Sequence, residues 1–192
     1  RCRLVGSEMC IRDRYKDTFY NRVDMMLVID ACSWKIIGAT LSPTETATAV
    51  RASLKRAVQE RMVLPRQLQY DQGSGIKAQE WMLKNLGVLN TPTRPYSGKS
   101  KVIEAVIGHF QNMVLRYYDN WAGMNVRAKR EESHFNPDFL KANRNKLPDY
   151  DGLVKQFEEA VTIWNNMATK QREAPNRIYA GETVGRAVSE FD

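Results

Sequence analysis

Apolar residues recur along this chain with two different periods, and the alternation between them outlines the fold. In DMMLVIDACSWKIIGATLS (24–42) the apolar runs 25–29 and 36–39 flank the polar break DACSWK. Short apolar runs around a polar break predict two strands paired as a hairpin. From Thr44 to Met62, Ala47, Val50, Leu54, Ala57 and Val58 fall at helical spacing behind Pro43 and Thr44, which predicts a helix. Pro65 closes that pattern. RQLQYD (66–71) then predicts a short strand ending at Asp71, where the turn QGSG begins. KAQEWMLKNLG (77–87) predicts a short helix closed by Gly87, and VLNTPT (88–93) another strand.

Beyond the loop RPYSGKS, residues 101–118 carry Ile103, Val106, Ile107, Phe110, Val114 and Tyr117 on one face, the mark of a long amphipathic helix. Residues 119–152 are rich in charge, Asn and Pro and read as an extended surface segment. A last helix, 153–170, presents Val154, Phe157, Val161, Trp164 and Met167 at the same spacing. This order of elements predicts an α/β fold, a mixed sheet flanked by helices. Internal repeats and low-complexity tracts are absent from the sequence.

Composition narrows the class of protein. A chain of 192 residues, 43% hydrophobic and 27% charged, is expected to form one soluble domain. Its longest apolar run, MMLVI, is far short of the ~20 residues of a membrane span, so no membrane partner is expected. The opening stretch scatters its apolar residues among charges and does not read as a signal peptide. A net charge of +7 favours a polyanionic partner, of which nucleic acid is the commonest. Cys2 and Cys10 lie in the opening and Cys32 beyond it, too few for a disulfide framework, and a reducing cytoplasm is the expected location.

Two carboxylates stand out by position. Asp71 ends a strand and enters a Gly-rich turn, the place in an α/β sheet where ligands are commonly met. Glu104 lies in the first turn of the long helix, near Lys99 and Lys101. Lys101, Glu104, Gly108 and Gln111 follow helical spacing and predict one polar stripe opposite the apolar face. Each acid alone has an ordinary explanation: Asp before Gln-Gly is a turn former, and Glu in a first turn favours the helix dipole. GKS at 98–100 resembles the end of a phosphate-binding loop, but Thr93 stands where that pattern needs Gly and Pro95 interrupts it. His109 and His134 have no metal-ligand spacing and are expected at the surface. Cys32 has no evident base beside it and reads as structural.

VIDACSWKIIGATLSPTETATAV, LQYDQGSG and PYSGKSKVIEAVIGHFQ, in that order, resemble the catalytic core of the DDE transposases and integrases. The likeness is greatest to bacterial and phage transposases of the Mu-related type. It covers about residues 20–180, including WNN at 164–166 and REAPNRIY at 172–179. The resemblance implies a ribonuclease-H-like sheet, a core over 15–125, and a region 126–192 holding a basic surface segment, a closing helix and a C-terminal extension cut short. It implies that Asp71 and Glu104 are the second and third of three catalytic, metal-binding carboxylates. Two Mg²⁺ or Mn²⁺ ions ~3.5–4 Å apart would hold the attacking and leaving oxygens of a phosphodiester displacement. Water would free a DNA 3′ end, and that hydroxyl would attack a target strand. Lys99 and Lys101, extended by Arg127, Lys129 and Arg130, would contact DNA phosphates. The partners implied are element ends, target DNA and further copies of the chain.

The first carboxylate is the difficulty. Spacing would accept Asp30, but the resemblance makes Asp30 a structural acid of the second strand and puts the catalytic Asp on the strand before it. Upstream lies RCRLVGSEMCIRDR, in which Leu4 to Asp13 reproduce ten consecutive codons of a DNA-sequencing adaptor read in one frame. Residues 1–14 are therefore expected to be adaptor-derived and the sheet to lack its first strand. Asp17 and Asp24 lack the strand context for a replacement. Such a chain is expected to be inactive, or nearly so, because two carboxylates hold a metal pair poorly. Two other readings remain open in the sequence: a nuclease or resolvase of the same fold without strand transfer, and a non-catalytic DNA-binding module.

Overall fold

The computed structural model describes residues 2–15, 19–70, 74–92, 101–118, 120–121, 147–181 and 186–187. Side chains are described from Val23 onward, excepting Ser74, Lys101, Val102, Arg186 and Ala187. The strands are β1 (Cys2–Tyr15), β2 (Phe19–Asp30), β3 (Ile36–Ser42), β4 (Val63–Leu64), β5 (Gln67–Tyr70), β6 (Leu89–Pro92) and β7 (Arg186–Ala187). The helices are α1 (Ala47–Gln59), α2 (Ser74–Lys77), α3 (Glu80–Asn85), α4 (Lys101–Met113), α5 (Tyr150–Asn166) and α6 (Pro175–Ala180).

Five strands form one sheet in the order β3-β2-β1-β5-β6, and β4 pairs with β7 in a small ribbon. β1 runs antiparallel to β2 and parallel to β5, and β5 runs parallel to β6. Alternation along β2 divides the core. Val23, Met25, Leu27 and Ile29 face α4 and α5, meeting Val106, Phe110, Leu153, Phe157 and Trp164. Met26 and Val28 face the other side, with Val50, Leu54 and Ala57 of α1 and with Leu68, Tyr70 and Leu83.

The hairpin, the first helix and the strand before Asp71 follow the apolar pattern closely. α1 begins later than the pattern suggests because Thr46, with extended backbone, caps it by accepting from the Ala49 amide at 3.1 Å. Four expectations are corrected. The sheet is not short of a strand, because Cys2–Tyr15 fills its centre as β1. Between β2 and β5 a gap would leave two rows of ladder groups unpaired, and backbone pairing accepts any stretch able to extend. The helix expected over 101–118 ends at Met113 and passes into a 3-10 turn at Leu115–Tyr117, so Leu115 is buried and Tyr117 is 78% exposed. The helix expected over 77–87 is shorter, α3 over Glu80–Asn85, and a separate turn, α2 (Ser74–Lys77), precedes it. The surface segment ends earlier than 152, since α5 begins at Tyr150, where Asp149 accepts from the Gly152 amide at 2.8 Å. Residues 122–146, with His134, lie outside the described residues.

Candidate active site

β5 delivers the chain to Asp71. Leu68 and Tyr70 are buried on the α1 side and Gln69, on the opposite side, is 8% exposed. The Tyr70 hydroxyl donates to Glu80 Oε1 at 2.8 Å, tying the last residue of β5 to the first turn of α3. Burial, reinforced by that carboxylate, raises the Tyr70 pKa well above its ordinary value, so its phenol stays neutral. Asp71 itself lies outside the described residues, as do Lys99, Arg127, Lys129 and Arg130.

α4 packs on β1 and β2 through Val106 and Phe110 and leaves Glu104 exposed in its first turn. Lys101 is its first residue. The polar stripe expected on this helix is only partly present. Gln111 is 7% exposed and its Oε1 has no hydrogen-bond partner, so it points toward the core. The exposed positions that accompany Glu104 are Ala105, His109 and Asn112. His109 stacks on Trp34 with ring centroids 6.0 Å apart.

Asp30 ends β2 at 2% exposure, and its Oδ2 accepts from the Ser33 amide at 2.9 Å and the Ser33 hydroxyl at 2.7 Å. Its backbone accepts from the Trp34 amide at 2.8 Å. The carboxylate is thus engaged in shaping the β2–β3 turn, where Trp34 adopts a left-handed φ of 61°. Arg172 covers this turn, its guanidinium 4.1 Å from the Trp34 ring centroid and donating to the Cys32 carbonyl. Burial lowers the Arg172 pKa, against the opposing pull of Cys32 and Asp30. Cys32 is exposed.

The register of β1 decides what faces the end of β5. Val5 pairs with both Val28 and Tyr70, and Leu4 with both Ile29 and Gln69. Gly6 is the first β1 residue beyond the last β1–β5 pair, just as Asp71 is the first residue beyond it on β5. Gly6 pairs with Leu27, which puts position 6 on the α4 side of the sheet. Thus β1 brings a residue without a side chain to the position just beyond its last pair with β5. Glu8, its next acid, is two residues farther, about 7 Å along a strand. It falls within the irregularity between Ser7 and Cys10. This register had no signal in the sequence, because it depends on segments far apart in the chain. Among the described residues, no three His, Cys, Asp or Glu side chains gather as a metal site, and no helix is long and apolar enough to cross a membrane.

No family model matches the chain, and no curated protein matches it. Solved structures do. The catalytic core domain of BIV integrase is similar with a TM-score of 0.59 and 17% identity, covering 93% of each chain. A simian T-cell lymphotropic virus intasome, in complex with PP2A regulatory subunit B56 gamma, gives 0.62 and 17%, covering 98% of this chain and 57% of that one. The HTLV-2 integrase catalytic core domain, in complex with magnesium and in trimeric form, gives 0.58 and 13%, covering 93% of this chain and 95% of that one. The fold is that of the integrase catalytic cores, a ribonuclease-H-like mixed α/β sheet.

Proposed function

We propose that this chain is the catalytic core of a DNA transposase or integrase whose first metal-binding position is filled by Gly6. The observation that carries this reading is the sheet order β3-β2-β1-β5-β6, with β5 ending one residue before Asp71 and Glu104 exposed in the first turn of α4. The similar HTLV-2 core is in complex with magnesium and trimeric, and the simian viral structure is an intasome, which supports Mg²⁺ or Mn²⁺ and further copies of the chain as partners here, with DNA ends taken from the sequence motifs. Asp71 and Glu104 are assigned as catalytic carboxylates and metal ligands. Lys99, Lys101, Arg127, Lys129 and Arg130 are assigned to DNA phosphates. The Mu-related transposases remain the nearest type on the sequence motifs.

The residues present do not complete the metal centre this fold implies. Gly6 offers no ligand where β1 meets the end of β5, and Asp30 is held by Ser33. Hard Mg²⁺ needs several oxygens in near-octahedral geometry, so the loss of one carboxylate weakens the whole site. An adaptor origin for residues 1–14 belongs to the same proposal, since it explains a Gly at this position. The intact protein carries out phosphodiester hydrolysis and strand transfer, and this chain does neither efficiently.

Nicking of supercoiled plasmid in Mn²⁺, which requires no particular end sequence, tests the proposal. The chain as it stands should be inert, Gly6→Asp should gain nicking, and adding Asp71→Asn should remove the gain. Gly6→Asn, matched in size, should fold and remain inert. Robust nicking by the unaltered chain, or a folded Gly6→Asp chain that stays inert, contradicts the assignment.

A further inference from the structure

An open cavity of about 390 Å³ lies beside the end of β5, lined by Tyr70, Glu80, Trp81, Lys84, Asn90 and Pro92. Tyr70 is the residue immediately before Asp71, so the cavity borders the proposed catalytic end of the sheet. Its wall is unusual for a folded surface. Trp81 is 77% exposed, although an indole is among the costliest side chains to leave in water. Lys84, one turn farther along α3, and Lys77, at the end of α2, are exposed as well. Lys84 thus sets a cation beside the exposed aromatic in the cavity wall, and Lys77 adds a second on the preceding helix, outside the lining. Glu80, the acid in the lining, accepts from the Tyr70 hydroxyl at 2.8 Å, so one of its oxygens is engaged within the cavity wall.

We infer that this cavity is a docking site for one unpaired base of single-stranded DNA. Every nucleobase has a π-face that stacks on an indole whatever its sequence, and Lys84 beside it meets a flanking phosphate. The cavity has the volume for a nucleoside. Because it adjoins Tyr70, the residue before Asp71, a strand held there lies at the same end of the sheet as the proposed site. The inference rests on the DNA-processing reading above but needs neither metal nor catalysis for its test.

The probe is a short fluorescein-labelled single-stranded deoxyoligonucleotide, titrated with the full chain in EDTA and followed by anisotropy. Trp81→Ala, at an exposed position whose loss leaves the core intact, should weaken binding about 5- to 150-fold, the range for one base–aromatic stack. Trp81→Phe should retain most of the affinity. An abasic strand of equal length should bind the unaltered chain about as weakly as the normal strand binds Trp81→Ala. If Trp81→Ala binds as tightly as the unaltered chain, or Trp81→Phe as weakly as Trp81→Ala, the docking site is wrong while the DNA reading stands. If the unaltered chain binds no DNA, single- or double-stranded, the DNA reading falls as well.

Discussion

Asp30 and Gly6 together show why a carboxylate cannot be assigned from spacing. Asp30 has the spacing of a ligand, yet its Oδ2 takes two hydrogen bonds from Ser33 in a turn that is nearly closed to solvent. Removing it orphans a buried amide and a buried hydroxyl, so Asp30→Ala should cost about 1–3 kcal/mol in urea unfolding. Metal affinity should be untouched, and a fall in Mn²⁺ binding in a still-folded Asp30→Ala chain would return Asp30 to the list of ligands. Position 6 is the converse case, because nothing in its local sequence hints at a site. Only its pairing with Leu27, one step beyond the Val5–Tyr70 pair, gives it meaning.

Helix and strand patterns were legible where one face is buried and one is wet, as in β2, α1 and α5. They failed where polar residues do core work. Gln79 is fully buried at the break between α2 and α3, donating to the Ala47 carbonyl at 3.1 Å and accepting from Arg51 at 3.1 Å. A polar residue in that role reads in sequence as one more exposed helix position. The edge strand β3 is similar. Asn165 accepts from the Ile36 amide and donates to its carbonyl, both at 2.9 Å, while Arg56 and Tyr150 donate to the Ala39 and Leu41 carbonyls at 2.7 and 3.2 Å. Side chains from two helices thus occupy an edge that would otherwise invite strand pairing. The approach of α1 to β3 is close enough to exclude any side chain at Gly38. A Cβ there would sit 2.1 Å from the Ser53 carbonyl oxygen and 2.9 Å from the Ala57 Cβ. Gly38→Ala should therefore lower stability by at least about 1–3 kcal/mol, seen as an earlier thermal melt. An unchanged melt would mean that α1 and β3 pack less tightly than described.

At the scale of the molecule, the apolar pattern anticipated a mixed sheet flanked by helices, and the motifs anticipated the fold it shares with integrase cores. The sheet order was beyond it, since order is set by which distant segments share ladder bonds rather than by any local period. For the same reason the sequence set β1 aside, yet its backbone completes the centre of the sheet. A strand can satisfy its neighbours' hydrogen bonds without supplying the side chain that a site requires. That separation between fold and chemistry is the core of the account: β1 occupies the centre of the sheet, and the proposed metal centre is one ligand short.

Titration calorimetry with Mn²⁺ measures this directly. The unaltered chain should bind weakly, Gly6→Asp should bind at least about tenfold more tightly, a gain of ~1.4 kcal/mol, and Gly6→Asp with Asp71→Asn should return to the starting affinity. Tight binding by the unaltered chain, or a folded Gly6→Asp chain with no gain, would contradict the claim that position 6 is the missing ligand.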